Sequence, residues 1–352
     1  MTSSLVPNVA LVGFGYAGQT FHAPLIAACP GLRLHTVVTR RPDDVAAAWP
    51  DARAVPAFET VLADPEVDLV LLATPNALHA PQARAALEAG KAVVIDKPFA
   101  LSLAEARAVA DLARAKGLFL SVFHNRRWDA DFLALRRQIA SGALGSVRTF
   151  ESHFDRFRPE VRDRWRERDG PGGGIWNDLG PHLIDQALVL FGRPLGVSCD
   201  LAVLRDGGQA VDWAHAVLRY ADTRVILHAD MTTPAADLRF AVHGATSSWL
   251  KSGLDVQEDQ LKAGLPVGGE GWGVDPRPAT LIDGGTGLRT SVPCPPGDYP
   301  AYYAAVAAAL AGKGANPVPP EQALAVMEVL EAGIESDRLR AEAALPQVPG
   351  WM

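Results

Sequence analysis

The stretch NVALVGFGYAG, Asn8 to Gly18, decides the fold. Its first five residues read as a short buried strand, and they run directly into Gly13, Gly15 and Gly18, after which apolar residues recur with helical spacing through Ala28. A strand, a G-x-G-x-x-G turn and a helix form the dinucleotide fingerprint: the glycines permit a tight turn, close approach of the pyrophosphate and close packing of the helix. The N–H groups at the start of that helix are open to phosphate. Cofactor contacts are therefore expected from Gly13, Phe14, Gly15, Tyr16 and Gly18.

Outward from this stretch, strand and helix patterns alternate. Strands are expected at 33–38, 69–73, 92–95 and 118–123, with helices near 43–49, 77–89 and 103–116. Such alternation predicts an α/β class with a parallel, doubly wound Rossmann sheet. At 352 residues the chain exceeds what one core usually supports, so a second domain is expected. The expected division is 1–122 for dinucleotide binding and 123–352 for substrate binding and oligomerisation.

The second strand ends in Thr39, Arg40 and Arg41, where an enzyme selective for NAD usually carries a carboxylate on the ribose. Arginine can pair with a 2′-phosphate through two hydrogen bonds, so NADP is the expected cofactor and NAD remains possible. The alternative is a pair of exposed loop arginines. Thr74, Pro75, Asn76 and His79 follow the strand at 69–73, at the edge where ligands sit. Asn76 is read either as a cofactor contact or as a helix cap. Asp96 and Lys97 follow the strand at 92–95 and are further expected cofactor contacts. A lysine emerging there can hydrogen-bond a substrate oxygen and stabilise negative charge on it, and Pro98 restricts its backbone.

In GGGIWNDLGPHLIDQ, 172–186, Asp178 and His182 stand four residues apart, on one face of any helix. A carboxylate beside an imidazole orients the ring and favours its protonated form, which suits a proton acceptor. Two structural readings compete: Asp178 as an N-cap with Pro181 in the first turn, and His182 as a core histidine. One His and one Asp are too few to hold a metal, and none is expected. Glu151, His153 and Asp155 share one strand face by period two, either lining a substrate cleft or facing solvent. His124, Arg126 and Trp165 are further substrate candidates.

The net charge of −7 argues against nucleic acid as the main partner. Arg156 to Arg168 is locally basic, but interleaved acids predict a solvated, internally paired helix. Three widely spaced cysteines fit neither a disulfide framework nor a zinc set and suggest a reducing cytoplasm. The N-terminus lacks the basic start of an export signal, and no apolar run is long enough to span a bilayer, so no membrane association is expected. The Gly/Pro-rich region 264–296 is expected to be an extended loop or irregular edge. The late helix, 319 to about 343, is expected to pack on the first domain.

With these motifs together, the chain resembles the Gfo/Idh/MocA family of NAD(P)-dependent oxidoreductases. The resemblance rests on the glycine loop, ATPNALH, GGGIWNDLGPH and DKP, the last being a form of the family's usual Glu-Lys-Pro. FHAPL, near Phe21, and FHNRRWD, 123–129, are most similar to the branch containing NADP-dependent scyllo-inositol dehydrogenases. The resemblance implies that Lys97, Asp178 and His182 form the catalytic group, and that a second domain carries a largely antiparallel open sheet. It also implies a polyol or sugar substrate whose secondary alcohol is oxidised. An open sheet face needs cover, which suggests a homodimer or homotetramer. Aldose or other sugar dehydrogenases, and regulators that bind dinucleotide without turnover, are the alternatives. Asp96 is one methylene shorter than the usual glutamate, so its partners must lie closer.

Overall fold

The computed structural model describes residues 6–346 and divides into two compact units. Residues through Trp128, with Gln257–Gly273 and Asp298–Leu324, form the first; Asp129–Val256, Val274–Gly297 and the chain from Ala325 form the second. The expected blocks 1–122 and 123–352 are consecutive, whereas the observed units exchange chain repeatedly.

The first unit opens with β1 (Asn8–Val12), a π-turn Gly18–His22 leading into α1 (Ala23–Ala27), β2 (Arg33–Val38), α2 (Pro42–Ala48), β3 (Arg53–Val55) and α3 (Phe58–Ala63). It continues through β4 (Leu69–Leu72), α4 (His79–Glu88), β5 (Ala92–Asp96), α5 (Leu103–Lys116) and β6 (Leu120–Phe123). The six strands lie in the order β3-β2-β1-β4-β5-β6, all parallel, the doubly wound arrangement that the glycine motif predicts. Strands β4 and β6 are buried at every position because helices cover both faces. The short β3 and α3 were not expected from the sequence.

Why later segments join this unit is visible in their side chains. The ring centroids of Tyr302, edge-on, and Tyr303, tilted, lie 4.9 and 5.7 Å from that of Phe123, and Tyr302 Oη lies 2.9 Å from Ser121 Oγ. Arg127 donates to Gln322 Oε1 at 2.6 Å.

In the second unit follow α6 (Ala130–Ala140), β7 (Val147–His153), α7 (Gly174–Phe191), β8 (Gly196–Ala202), β9 (Trp213–Arg219) and β10 (Arg224–Asp230). Then come β11 (Leu238–Gly244), β12 (Ser247–Ser252), α8 (Gln257–Lys262, in the first unit), β13 (Ala279–Asp283) and β14 (Arg289–Val292). The last elements are α9 (Pro300–Leu310, first unit), α10 (Pro320–Leu339) and β15 (Ala343–Ala344). A nine-stranded sheet runs β14-β13-β12-β11-β7-β10-β9-β8-β15, with only β7 and β10 parallel. Burial alternates along β9 and β10, as in a sheet packed on one face. Helix α7 covers that face: Phe191 packs 5.4 Å from Phe150. Beside it the buried Arg239 bonds Ser152, Gln186 and Asp131 at 2.8, 2.6 and 3.2 Å, which satisfies its charge.

Three expectations change. Because Pro159 and the glycines from Gly170 oppose helix, the run 156–168 forms none beyond a 3-10 turn, Trp165–Glu167, and Phe157 makes an isolated bridge to Thr232; of its charges, Arg168 pairs internally with Asp163. Within 264–296, β13 and β14 form a hairpin at the sheet edge. Helix α10 groups with the first unit only through Leu324; beyond it, Leu330 O accepts from Trp176 Nε1 at 3.0 Å, fastening the helix to α7. Among the described residues no helix is long and apolar enough to cross a membrane. The cysteines are free, and burial pushes Cys199 up to about 12 and Cys294 up to about 11.

Candidate active site

In the glycine loop each residue has a separate spatial reason. Gly13 adopts φ 99°, and a Cβ there would lie 2.5 Å from Ala73 O. One at Gly18 would lie 2.2 Å from Gly13 O. Gly15 differs, for a Cβ there would meet nothing within 4 Å. The protein itself does not need a glycine at 15, whereas a pyrophosphate resting on the loop does, so the loop fits a dinucleotide. Phe14 is buried and Tyr16 exposed, its hydroxyl donating to Glu258 Oε1 at 2.9 Å.

Arg41 reaches back to donate to Phe14 O and pairs with Asp44 at 3.0 Å, while Thr39 Oγ1 accepts from Arg41 N. This places a guanidinium against the glycine loop; Arg40 follows β2 in the same turn. Thr74 donates to Gln82 Oε1 at 2.8 Å and touches the Cβ position of Gly13. Asn76 is buried at the start of a 3-10 turn, and no side chain caps α4, so its capping role is not observed. His79 is buried, with Nδ1 2.8 Å from Pro98 O and Nε2 2.9 Å from Thr74 O. Both ring nitrogens are thus engaged with backbone, and His79 staples the two loops together. Burial pushes its pKa down.

The Lys97–Pro98 peptide is cis, and Lys97 N donates to Asp96 Oδ1 at 2.9 Å. Asp96 Oδ1 lies 3.6 Å from His22 Nε2, an electrostatic contact just beyond hydrogen-bond range. The His22 ring is fully buried, with Nδ1 2.6 Å from Tyr303 Oη. Burial opposes the charge on Asp96, but His22, Lys97 and His79 outweigh it and hold the carboxyl below the ordinary aspartate range. His22 and Tyr303 were not expected from sequence. A lone histidine in an apolar helix is a weak signal.

Arg126 and His124, expected near substrate, are buried, and Arg126 pairs with Glu258 at 3.0 Å. Burial opposes the charge on Glu258, but Arg126, Lys262 and Tyr16 together bring its pKa to about 2.

In the second unit α7 begins after Gly173 and contains Asp178 and His182 one turn apart. Asp178 is therefore not an N-cap, and Pro181 lies in the helix interior rather than its first turn. His182 is buried, and Asp178 Oδ1 is 3.6 Å from Arg166 Nε. His153 and Asp155 are not brought to this pair. His153 projects from β7 on the face opposite Phe150 and Ser152, away from α7, and Asp155, two residues beyond the strand, lies against its ring. Trp165 lies in the 3-10 turn, and its side chain falls outside the described residues.

A parallel sheet in the order 3-2-1-4-5-6 with a glycine loop after β1, joined to an α/β unit with a mostly antiparallel sheet, defines a two-domain dinucleotide-dependent oxidoreductase. The comparisons agree: residues 7–124 match the oxidoreductase family NAD-binding Rossmann fold model, and 136–345 match the family's C-terminal alpha/beta domain. The chain belongs to the Gfo/Idh/MocA family of NAD(P)-dependent oxidoreductases. It is 52% identical over 340 residues to the uncharacterized oxidoreductase YdgJ of Escherichia coli, covering 96% of this chain and 98% of the relative. It is 36% identical over 335 residues to the NADP-dependent scyllo-inositol 2-dehydrogenase IolW of Bacillus subtilis, covering 94% of each. The crystal structure of an oxidoreductase from Klebsiella pneumoniae matches with TM-score 0.92 and 48% identity, covering 98% of this chain and 96% of that one.

Proposed function

We propose that this chain oxidises a secondary alcohol of a polyol or sugar, with scyllo-inositol as the first substrate to test, and prefers NADP. The observation that carries the reading is the place of Lys97. It directly follows β5, at the same carboxyl edge as the glycine loop after β1 and Thr74 after β4, where ligands of such sheets bind. The identity with IolW supports the substrate class, and Arg41 at the glycine loop supports NADP.

The cofactor, when bound, supplies the hydride acceptor. His182 takes the proton of the substrate hydroxyl at a ring nitrogen, and Lys97 hydrogen-bonds the same oxygen and stabilises negative charge on it. Asp178, one turn before His182, orients and tunes the imidazole. Glycine-loop N–H groups hold the pyrophosphate, and Arg40 and Arg41 hold the 2′-phosphate. The sheet face away from α7 is proposed to be covered in a homodimer or homotetramer, which light scattering would test.

Titrating NADPH and NADH by fluorescence, followed by NADP-linked oxidation of inositols and aldoses, tests the function. Tighter NADPH binding with turnover of scyllo-inositol is expected. Tighter NADH binding would remove the role of Arg40 and Arg41. Turnover of an aldose alone would replace the substrate, and cofactor binding without turnover of any polyol or sugar would leave a dinucleotide-binding regulator.

A further inference from the structure

On the sheet face away from α7, strand register assembles a histidine row that the catalytic reading does not use. His153 of β7 is the partner of His228 of β10, which is the partner of His215 of β9. Asp155 lies two residues beyond His153 and leans on it, with Oδ2 3.0 Å from Nδ1. His153, Asp155 and His228 each offer a ligand atom, all within 4.8 Å of one another.

From these positions we infer a site for a divalent transition-metal ion of the zinc type, held by His153, Asp155 and His228. The Asp155 side chain is 7% exposed, yet its Oδ1 has no hydrogen-bond partner among the described residues, and neither has the buried Nε2 of His153. A buried carboxylate oxygen of that kind is costly unless something cationic meets it. His228 Nε2 stands 3.9 Å from Asp155 Oδ1, beyond hydrogen-bond range. A metal between them satisfies the oxygen.

Surrounding groups suit that arrangement. His215 Nδ1 lies 3.4 Å from His228 Nδ1, and a proton shared there leaves the His228 Nε2 lone pair for the metal. Asp230 Oδ2, 3.4 Å from His228 Nε2, and Glu151 Oε2, 3.7 Å from His153 Nε2, add negative charge around the site. Asp230 is itself held by Thr232 N and Thr233 N, so it acts from the outer shell. Two imidazoles and one carboxylate favour zinc-type ions over calcium or magnesium, which prefer all-oxygen sites. Ligands on a tetrahedral zinc stand roughly 3.3 Å apart, given bonds of about 2.0 Å, so the three side chains close in by at most about 1.5 Å through their rotamers. The ion would pin the parallel β7–β10 pair, and water would complete its coordination.

The test uses the untagged full-length protein, stripped with a chelator and freed of it. Zn²⁺ is titrated against a chromophoric competitor, and Co²⁺ is added to report coordination through its visible absorption. Expected are one equivalent of Zn²⁺ per chain, a Co²⁺ band displaced by Zn²⁺, and a Zn²⁺-dependent rise in melting temperature. In His228→Gln and Asp155→Asn the affinity should fall by roughly tenfold or more, and the melting shift should vanish. His243→Gln, altering an exposed histidine that bonds Ser248, should bind as the unmodified chain does. Circular dichroism checks each fold, and His153→Gln replaces any variant that fails it. No stoichiometric binding, binding equally tight in the site variants, or binding lost in His243→Gln would each overturn the site.

Discussion

The buried ring of His22 stands 3.6 Å from the Asp96 carboxylate, on whose Oδ1 the backbone N–H of Lys97 also rests. A residue of the first helical turn thus braces the segment that presents the proposed catalytic lysine. Tyr303, on α9, holds the other side of the ring.

Replacing His22 with Phe keeps an aromatic ring but removes the Tyr303 hydrogen bond and the imidazole nitrogen beside Asp96. Denaturant unfolding should show a loss of about 1 to 3 kcal/mol at pH 7. Because the folded-state pKa of Asp96 is depressed, the stability it contributes is present above the ordinary aspartate pKa, about 3.9, and is lost as pH falls through the lower folded value. The difference between the two proteins should therefore narrow below about pH 4. Equal stability at pH 7 would count against the brace.

Lys97→Ala should lower kcat on the order of a hundredfold to ten-thousandfold, with the far-ultraviolet circular dichroism unchanged. Asp178→Asn should lower it less and shift the acid limb of the pH–rate profile, because the carboxylate acts through His182. Near-native turnover by Lys97→Ala would remove the lysine from the mechanism.

The glycine loop makes a paired prediction. Gly15→Ala, with open space around its Cβ, should fold normally and bind NADPH at least about tenfold more weakly. Gly18→Ala drives a methyl into Gly13 O and should lose both cofactor affinity and about 1 to 3 kcal/mol of stability. If the two variants bound and unfolded alike, the distinction between loop packing and ligand approach would fail.

Glu258 links Arg126 and Tyr16 to α8. With its pKa at about 2 in the fold, its contribution is complete above about pH 4.5 and declines as pH falls toward 2. The effect is on the order of 3 kcal/mol, before solvent screening reduces it. Glu258→Gln should be less stable at neutral pH, yet lose less further stability between pH 5 and pH 2.5. Parallel pH dependence in both proteins would contradict this.

The sequence resolved the Rossmann half well because its signals are local. Buried strands at Asn8–Val12 and Arg33–Val38, the glycine turn and the helix Leu103–Lys116 are each decided by neighbours in the chain. The short β3 and α3 lack enough periods to register. In the arginine-rich run, alternating charge resembles a solvated helix face, whereas Pro159 and the following glycines disfavour a helix.

By itself the sequence determined the alternation of strands and helices, the glycine loop and the Asp178–His182 spacing, all set by backbone sterics and side-chain periodicity over a few residues. Only the tertiary structure decided that His22 and Tyr303 support Asp96, that Glu258 answers Arg126, and that His153 faces away from α7 with Asp155 against its ring. It alone set His228 beside them. Those relations join residues far apart in the chain, and they follow from strand order, register and which face each helix covers.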